Sequence, residues 1–319
     1  MASALPAQAC PAFEPPINLG QVAATGLTEA SGLVASRTQA GILWTHNDSG
    51  DSARVFAIES DGSLRAEYIL QGASNRDWED MAIGPGPTAG QDYLYLADIG
   101  DNASARNTVT VYRLPEPQVP LAATAIPIEV SGAVSLELKY PDGAHDAETL
   151  LVDPSTADLY ILTKDGSTGV SGLYSADYPQ NQFGVSTLVH HTDIVFSGNV
   201  LERSVTGGDI SVSGDEILVR TYLSAHLWSR SEAESVASAM QSVACILPLA
   251  LELQGEAIAF SSEGQNYFTL SEGSNPPIYE YRRVPSVPVM SFSAVIGLVG
   301  CLSVLGTRSA RLPRSSQSD

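Results

Sequence analysis

The chain has 319 residues, of which 44% are hydrophobic, enough for one large packed domain or two ordinary ones and unlike a disordered chain. Its 36 acidic against 16 basic residues give a net charge of −20, which excludes a nucleic-acid backbone as partner by repulsion but accommodates a divalent cation. Much of that charge also suits a soluble, salt-exposed surface, so only carboxylates at repeated positions carry weight below.

Residues 1–12 read as the remnant of an export signal or a disordered lead; they lack an apolar core, yet Ala7-Gln8-Ala9 has the form of a cleavage site. Residues 13–283 are predicted all-β, because short β-branched and aromatic runs are broken by Gly, Pro, Asn and Asp. One phrase recurs there: Glu29-Ala-Ser-Gly-Leu-Val, Asp77-Trp-Glu-Asp-Met-Ala, Asp146-Ala-Glu-Thr-Leu-Leu, Thr206-Gly-Gly-Asp-Ile-Ser and Gln254-Gly-Glu-Ala-Ile-Ala. The copies lie roughly 50 to 70 residues apart, the period of propeller blades. Each heads a first strand. Second strands follow at Ile42 to Thr45, Tyr93 to Ala97, Leu159 to Thr163, Ile217 to Thr221 and Tyr267 to Ser271, and third strands after those. Fourth strands are predicted at Leu64 to Leu70, Ser135 to Tyr140, Ser186 to Val189 and Leu247 to Leu253. The fifth copy has none before the tail. Pro16 to Val22, just ahead of the first copy, is placed to supply it, so that N- and C-terminal strands close the ring. The expected fold is a five-bladed β-propeller, and the long insert Pro115 to Val134 leaves six blades open. Ser231 to Gln241 is predicted as a short helix with Ser231 and Glu234 as its capping box.

Residues 284–319 comprise a linker, a charge-free run from Pro288 to Gly306, and Arg308, Arg311 and Arg314. The run predicts one transmembrane helix over about 288–306, with a buried core helix as alternative. The arginines keep the tail cytoplasmic and the body exported, at the periplasm or cell surface. The pattern resembles bacterial exosortase-type sorting tails, which implies that the tail is either cleaved or kept as an anchor. With Cys301 in this run, Cys10 and Cys245 are the pair left for a disulfide outside the cytoplasm, two separate thiols being the alternative.

In a propeller, first-strand starts and second-strand ends meet near the axis on one face. The starts bring Glu29, Asp77, Glu79, Asp80, Asp146, Glu148, Asp209 and Glu256 together; the ends add His46, Asn47, Asp48, Asp98, Lys164, Arg220 and Glu272. Aligned on the apolar residues that follow, Ser31, Glu79, Glu148, Gly208 and Glu256 share one position, with Asp80 and Asp209 one residue later. Clustered carboxylates raise one another's pKa, a cost that a bound cation removes, and oxygen-rich donor sets suit calcium. The candidate metal ligands are therefore Glu79, Asp80, Asp98, Glu148, Asp209 and Glu256. Backbone capping, or pairing with Arg220 and Lys164, is the metal-free alternative. Asp98-Ile-Gly-Asp-Asn102 looks calcium-like but fits an ordinary turn as well. Asn47, Asp48, Lys164, Arg220 and Glu272 are candidate ligand contacts. His145, beside Asp146, is the first choice of general acid or base and His46 the second. No phosphate loop, serine elbow or metalloprotease helix is present in the sequence.

Through HNDSGD (46–51), DWEDMA (77–82), DIGDN (98–102), HDAETL (145–150) and SEGSNPP (271–277), the body resembles exported bacterial β-propellers without assigned function. More loosely it is similar to calcium-dependent propeller lactonases, paraoxonases and phytase-like esterases, which implies a metal-dependent hydrolase of ester, lactone or phosphate-ester bonds. The expectation placed ahead of it, since no nucleophile is evident, is a surface-displayed binding or adhesion module that takes a small molecule, glycan or protein at the mouth, with the hydrolase as the alternative.

Overall fold

The computed structural model describes residues 10–285. Five antiparallel-cored sheets make five blades. Their inner strands are Ala30–Ala35, Trp78–Pro85, Ala147–Val152, Val205–Ile210 and Gly255–Phe260, for blades 1 to 5 in chain order. Each inner strand lies beside those of the two neighbouring blades, and the fifth returns to the first. The five strands therefore surround one axis.

The apolar core is divided as this geometry requires. Five separate clusters fill the five spaces between consecutive blades, such as Trp44, Tyr68, Trp78 and Met81 between blades 1 and 2. All three tryptophans are buried in these spaces. Because an inner strand packs a blade against each of its faces, it is buried from end to end rather than at alternate residues.

The ring closes through the N-terminus. Ile17–Gln21 pairs antiparallel with Pro277–Tyr281 as the outermost strand of blade 5, and the ladder continues as Phe13 bridges Arg283. A disulfide joins Cys10 to Cys245 on the outer strand of blade 4. The N-terminal segment is thus fixed to both sides of the seam between blades 4 and 5.

The outer strands differ from expectation. The insert after Pro115 makes no sixth blade; its Ile128–Val130 adds in parallel to Leu64–Leu70 and covers the edge of blade 1. Ser186–Thr187 belongs to blade 2, where it pairs with Val134–Lys139, and the fourth strand of blade 3 is Val189–Val195. Leu188 is the pivot, buried between those two blades. In blade 4 the fourth strand is Cys245–Leu247, since Pro248 has no N–H to continue the ladder. The short helix is Val236–Ala239, capped by Ser235 rather than Ser231. Among the described residues no helix is long and apolar enough to cross a membrane, and the span expected over 288–306 lies outside them.

Replacing Cys10 and Cys245 together by serine removes the covalent part of the latch but leaves its strand ladder. We expect a folded protein destabilised by about 2–4 kcal/mol in urea titration. A variant of unchanged stability would show that the ladder alone closes the ring.

Candidate functional site

Every inner strand carries a register irregularity at its head, between Ala30 and Leu33, Trp78 and Asp80, Ala147 and Thr149, Val205 and Gly207, and Gly255 and Ala257. A bulge of this kind re-aims a side chain and ends regular pairing. The equivalent bulge residues are Ser31, Glu79, Glu148, Thr206 and Glu256. The sequence alignment put Gly208 in the fourth place; the ladder moves that place to Thr206 and sets Asp209 three residues deeper. Two hydroxyls at this level act alike. Ser31 Oγ donates to the Glu79 carbonyl of the next blade, and Thr206 Oγ1 donates to the Glu256 carbonyl at 3.2 Å.

The residue after each second strand forms a second tier, Asp48, Ile99, Lys164, Tyr222 and Glu272. In blades 1, 3 and 5 its backbone N–H ties it to the residue before the inner strand, Asp48 N to Glu29 O at 2.8 Å, Lys164 N to Asp146 O at 2.9 Å and Glu272 N to Gln254 O at 3.0 Å, while in blade 2 Gly100 N reaches Asp77 O. An arc of side chains crosses the mouth. Lys164 Nζ pairs with Glu148 and lies 3.4 Å from the Tyr222 hydroxyl, which donates to Glu256 Oε1 at 3.1 Å. Glu256 Oε2 then lies 3.3 Å from Ser31 Oγ.

Carboxylates crowd the opposite side. Asp48, Asp77 and Glu79 each offer an oxygen within 4.8 Å of the others, as do Glu79, Asp146 and Glu148. Glu79 is common to both groups. Oxygens held about 2.3–2.6 Å from one calcium ion span at most about 5 Å, so either triad can hold a metal ion. Glu79 and Glu148 are each only 3% exposed, and Glu148 Oε2 has no hydrogen-bond partner while Oε1 receives Lys164. Gly100 makes the approach feasible. A Cβ there would stand 2.1 Å from Glu79 Oε1 and 2.6 Å from the Asp77 carboxylate.

The electrostatics follow from this crowding. Burial pushes the Glu79 carboxyl well above its ordinary range, and the negative charges of Glu148, Asp48, Asp77 and Glu256 push it further. Burial also raises Glu148, against the opposing pull of Lys164. Asp48 rises to about 6 by burial and by Glu256, and Glu272 to about 8 for the same two reasons. Burial, then Asp146, raises Asp77, with Arg106 opposing.

Other candidates stand apart from this cluster. Asp80 is fully buried and accepts from Met81 N at 2.8 Å, Leu150 N at 2.9 Å and Gly208 N at 3.2 Å. Asp209 likewise accepts from Ile210 N and Phe260 N. Asp98 is spent on Arg106 at 2.8 Å and Arg106 N donates to Asp101, while Asp101 N donates to Asp146 at 2.8 Å, so this turn abuts the cluster through its backbone. Arg220, fully buried, donates to Ala257 O and pairs with Glu252 at 3.2 Å. Asn47 spends its amide on the 26–29 backbone and on Asp51. His46 is wholly buried, edge-on to Trp78, and burial lowers it to about 4, so it stays neutral. His145 is one-third exposed, its Nε2 3.1 Å from Asp142 and 3.2 Å from the Tyr174 hydroxyl. Together with Asp146 and Lys164 it lines a cavity of about 730 Å³. Tyr222 escaped the sequence reading, although it follows a second strand as Lys164 and Glu272 do.

No protein-family model matches this chain, and no curated protein matches it in sequence. Solved structures match it in shape. One is the PQQ-bound aldose sugar dehydrogenase of Streptomyces coelicolor, with a TM-score of 0.47 and 12% identity over 86% of this chain and 100% of that one. The likeness is distant, and the assignment of five blades rests on the sheets themselves.

Without a cation, the raised carboxyls bind protons more tightly in the folded than in the unfolded chain. Their contribution is full below about pH 4 and is lost as pH climbs through about 8. We expect the melting temperature in chelator to fall between about pH 5 and about pH 8, and added calcium to flatten that fall. A chelated melting temperature that rises across this window would refute the account of uncompensated buried charge.

Proposed function

We propose that this protein is a ligand-binding module whose propeller mouth is built around a divalent cation, calcium by the chemistry of its donors. The observation that carries the reading is the pair of carboxylate triads sharing Glu79, with the buried, unpartnered Glu148 Oε2 at their edge. An oxygen-only donor set favours a hard cation over zinc or copper, which draw on His and Cys. The cation offsets repulsion that the described residues meet with Lys164 and, more remotely, Arg106. In this reading the ion sits in one of the two triads, Glu79 with Asp146 and Glu148 or Glu79 with Asp48 and Asp77, while Glu256 and Glu272 shape the rim. Asp80, Asp98, Asp209 and Arg220 support the backbone around it.

The same reading places the protein outside the cytoplasm, where a disulfide such as Cys10–Cys245 persists. The apolar run near the C-terminus would keep it at a membrane or mark it for surface processing.

A second reading, metal-dependent hydrolysis of ester, lactone or phosphate-ester bonds, is favoured by one arrangement. His145 is oriented by Asp142 and lines the same cavity as Asp146, so a proton acceptor adjoins the ion ligands.

Calorimetric titration of the chelator-treated protein with calcium should show saturable binding, weakened at least about tenfold by Glu79→Gln, or ~1.4 kcal/mol. Substitution of Asp209 by Asn should leave that affinity nearly unchanged. Equal binding by wild type and Glu79→Gln would remove the site. Turnover of nitrophenyl esters, lactones or phosphate esters that is lost in Glu148→Gln would favour the hydrolase over the binding module.

A further inference from the structure

The cavity beside the mouth and the cation site share a wall. Asp146 belongs to the Glu79–Asp146–Glu148 triad and also lines the 730 Å³ cavity, together with Asp142, His145, Lys164 and Asp165. The buried Glu148 Oε2, free of any partner, marks the triad as a set of donors incomplete without a ligand. Three carboxylate oxygens leave a calcium ion short of its usual six to eight, so positions remain for oxygens that arrive from the cavity.

The walls restrict what can bring those oxygens. Asp142 accepts from the Tyr174 hydroxyl at 2.8 Å and meets His145, which together hold its carboxyl below the ordinary range despite some burial. Asp165 accepts from Ser167 and Thr168 and is held at about 2. Both therefore keep the cavity wall negative, but Asp165 spends both oxygens on its own loop, so Asp142, about half exposed, is the acceptor left for a ligand. Lys164, the ammonium on the cavity wall, is committed to Glu148. Even against the ion's two positive charges and Lys164, the five carboxylates of Glu79, Asp142, Asp146, Glu148 and Asp165 leave the wall net negative, so an anionic ligand is disfavoured, and an apolar one would strip water from carboxylates without replacing its hydrogen bonds. A neutral ligand rich in hydroxyls donates to the carboxylates and lends oxygen to the ion.

We propose that the cavity is a saccharide subsite, in which two adjacent hydroxyls of a neutral sugar complete the coordination of the cation at Glu79, Asp146 and Glu148 while the rest of the sugar lies against Asp142 and His145. The proposal rests on the cation reading above and adds the class of ligand. A polyamine would satisfy the same carboxylates but would supply no oxygen to the ion, so its dependence on calcium has the opposite sign.

The test is titration of the calcium-loaded protein with methyl mannoside, methyl galactoside and their β-linked disaccharides, with spermidine and glucose 6-phosphate in parallel. We expect a saccharide to bind with calcium, to lose at least tenfold in affinity with chelator, and to outbind both charged probes. Asn102 also lines the cavity, and Asp142→Asn and the cavity-filling Asn102→Trp should each weaken the saccharide about tenfold while leaving calcium affinity unchanged. Saccharide binding that ignores chelator or both variants would overturn the proposal. So would tighter spermidine binding, or calcium binding with no saccharide bound at all. Loss of calcium binding itself would defeat the cation reading first, and the two failures are thus told apart.

Discussion

A bulge at the head of five strands that share one axis is the constraint from which the rest of this molecule follows. Regular pairing would send each of these side chains into the space between blades, where five apolar clusters are already close-packed. The extra residue frees Ser31, Glu79, Glu148, Thr206 and Glu256 from that alternation and gathers them at the mouth. Apolar packing between blades sets the diameter of the ring. The diameter in turn decides which bulge residues touch.

Fivefold architecture does not produce fivefold chemistry. The side of the mouth formed by blades 4, 5 and 1 is knit by hydroxyls, from Tyr222 through Glu256 to Ser31, and so can stand without a guest. Toward blades 1, 2 and 3, carboxylates face one another, with Gly100 drawn in so close that no side chain would fit. Lys164 sits at the junction and answers one carboxylate oxygen among several. Hydrogen bonding and facing carboxylates are thus divided between two halves of one ring, so a fivefold repeat carries an asymmetric mouth.

Much of this was legible in the sequence, for identifiable reasons. Inner strands announce themselves because they are buried on both faces and begin with the same phrase. Closure by Pro16 to Val22 was legible because the fifth blade is one strand short. Outer strands were less so, since they are short and half-exposed and are ended by local accidents such as Pro248 and Leu188. In blade 4 the glycines 207 and 208 blurred the bulge, and Asp209 aligned two residues out of step. A sequence also writes every carboxylate alike. That Asp80 accepts from three backbone N–H groups whereas Glu148 keeps an oxygen free is a matter of where neighbouring blades present their amides. Only the fold places those amides.

The grip of Asp80 has a further meaning. Leu150 is on blade 3 and Gly208 on blade 4, so a carboxylate that belongs to blade 2 reaches across the axis to bond a strand it does not adjoin. A propeller axis is commonly pictured as a tunnel, yet here a buried side chain stands across it just below the ring of bulges. The mouth is then the rim of a cup with a floor. The mouth therefore opens to one face of the disc only, and the arc of Lys164 and Tyr222 lies across that opening.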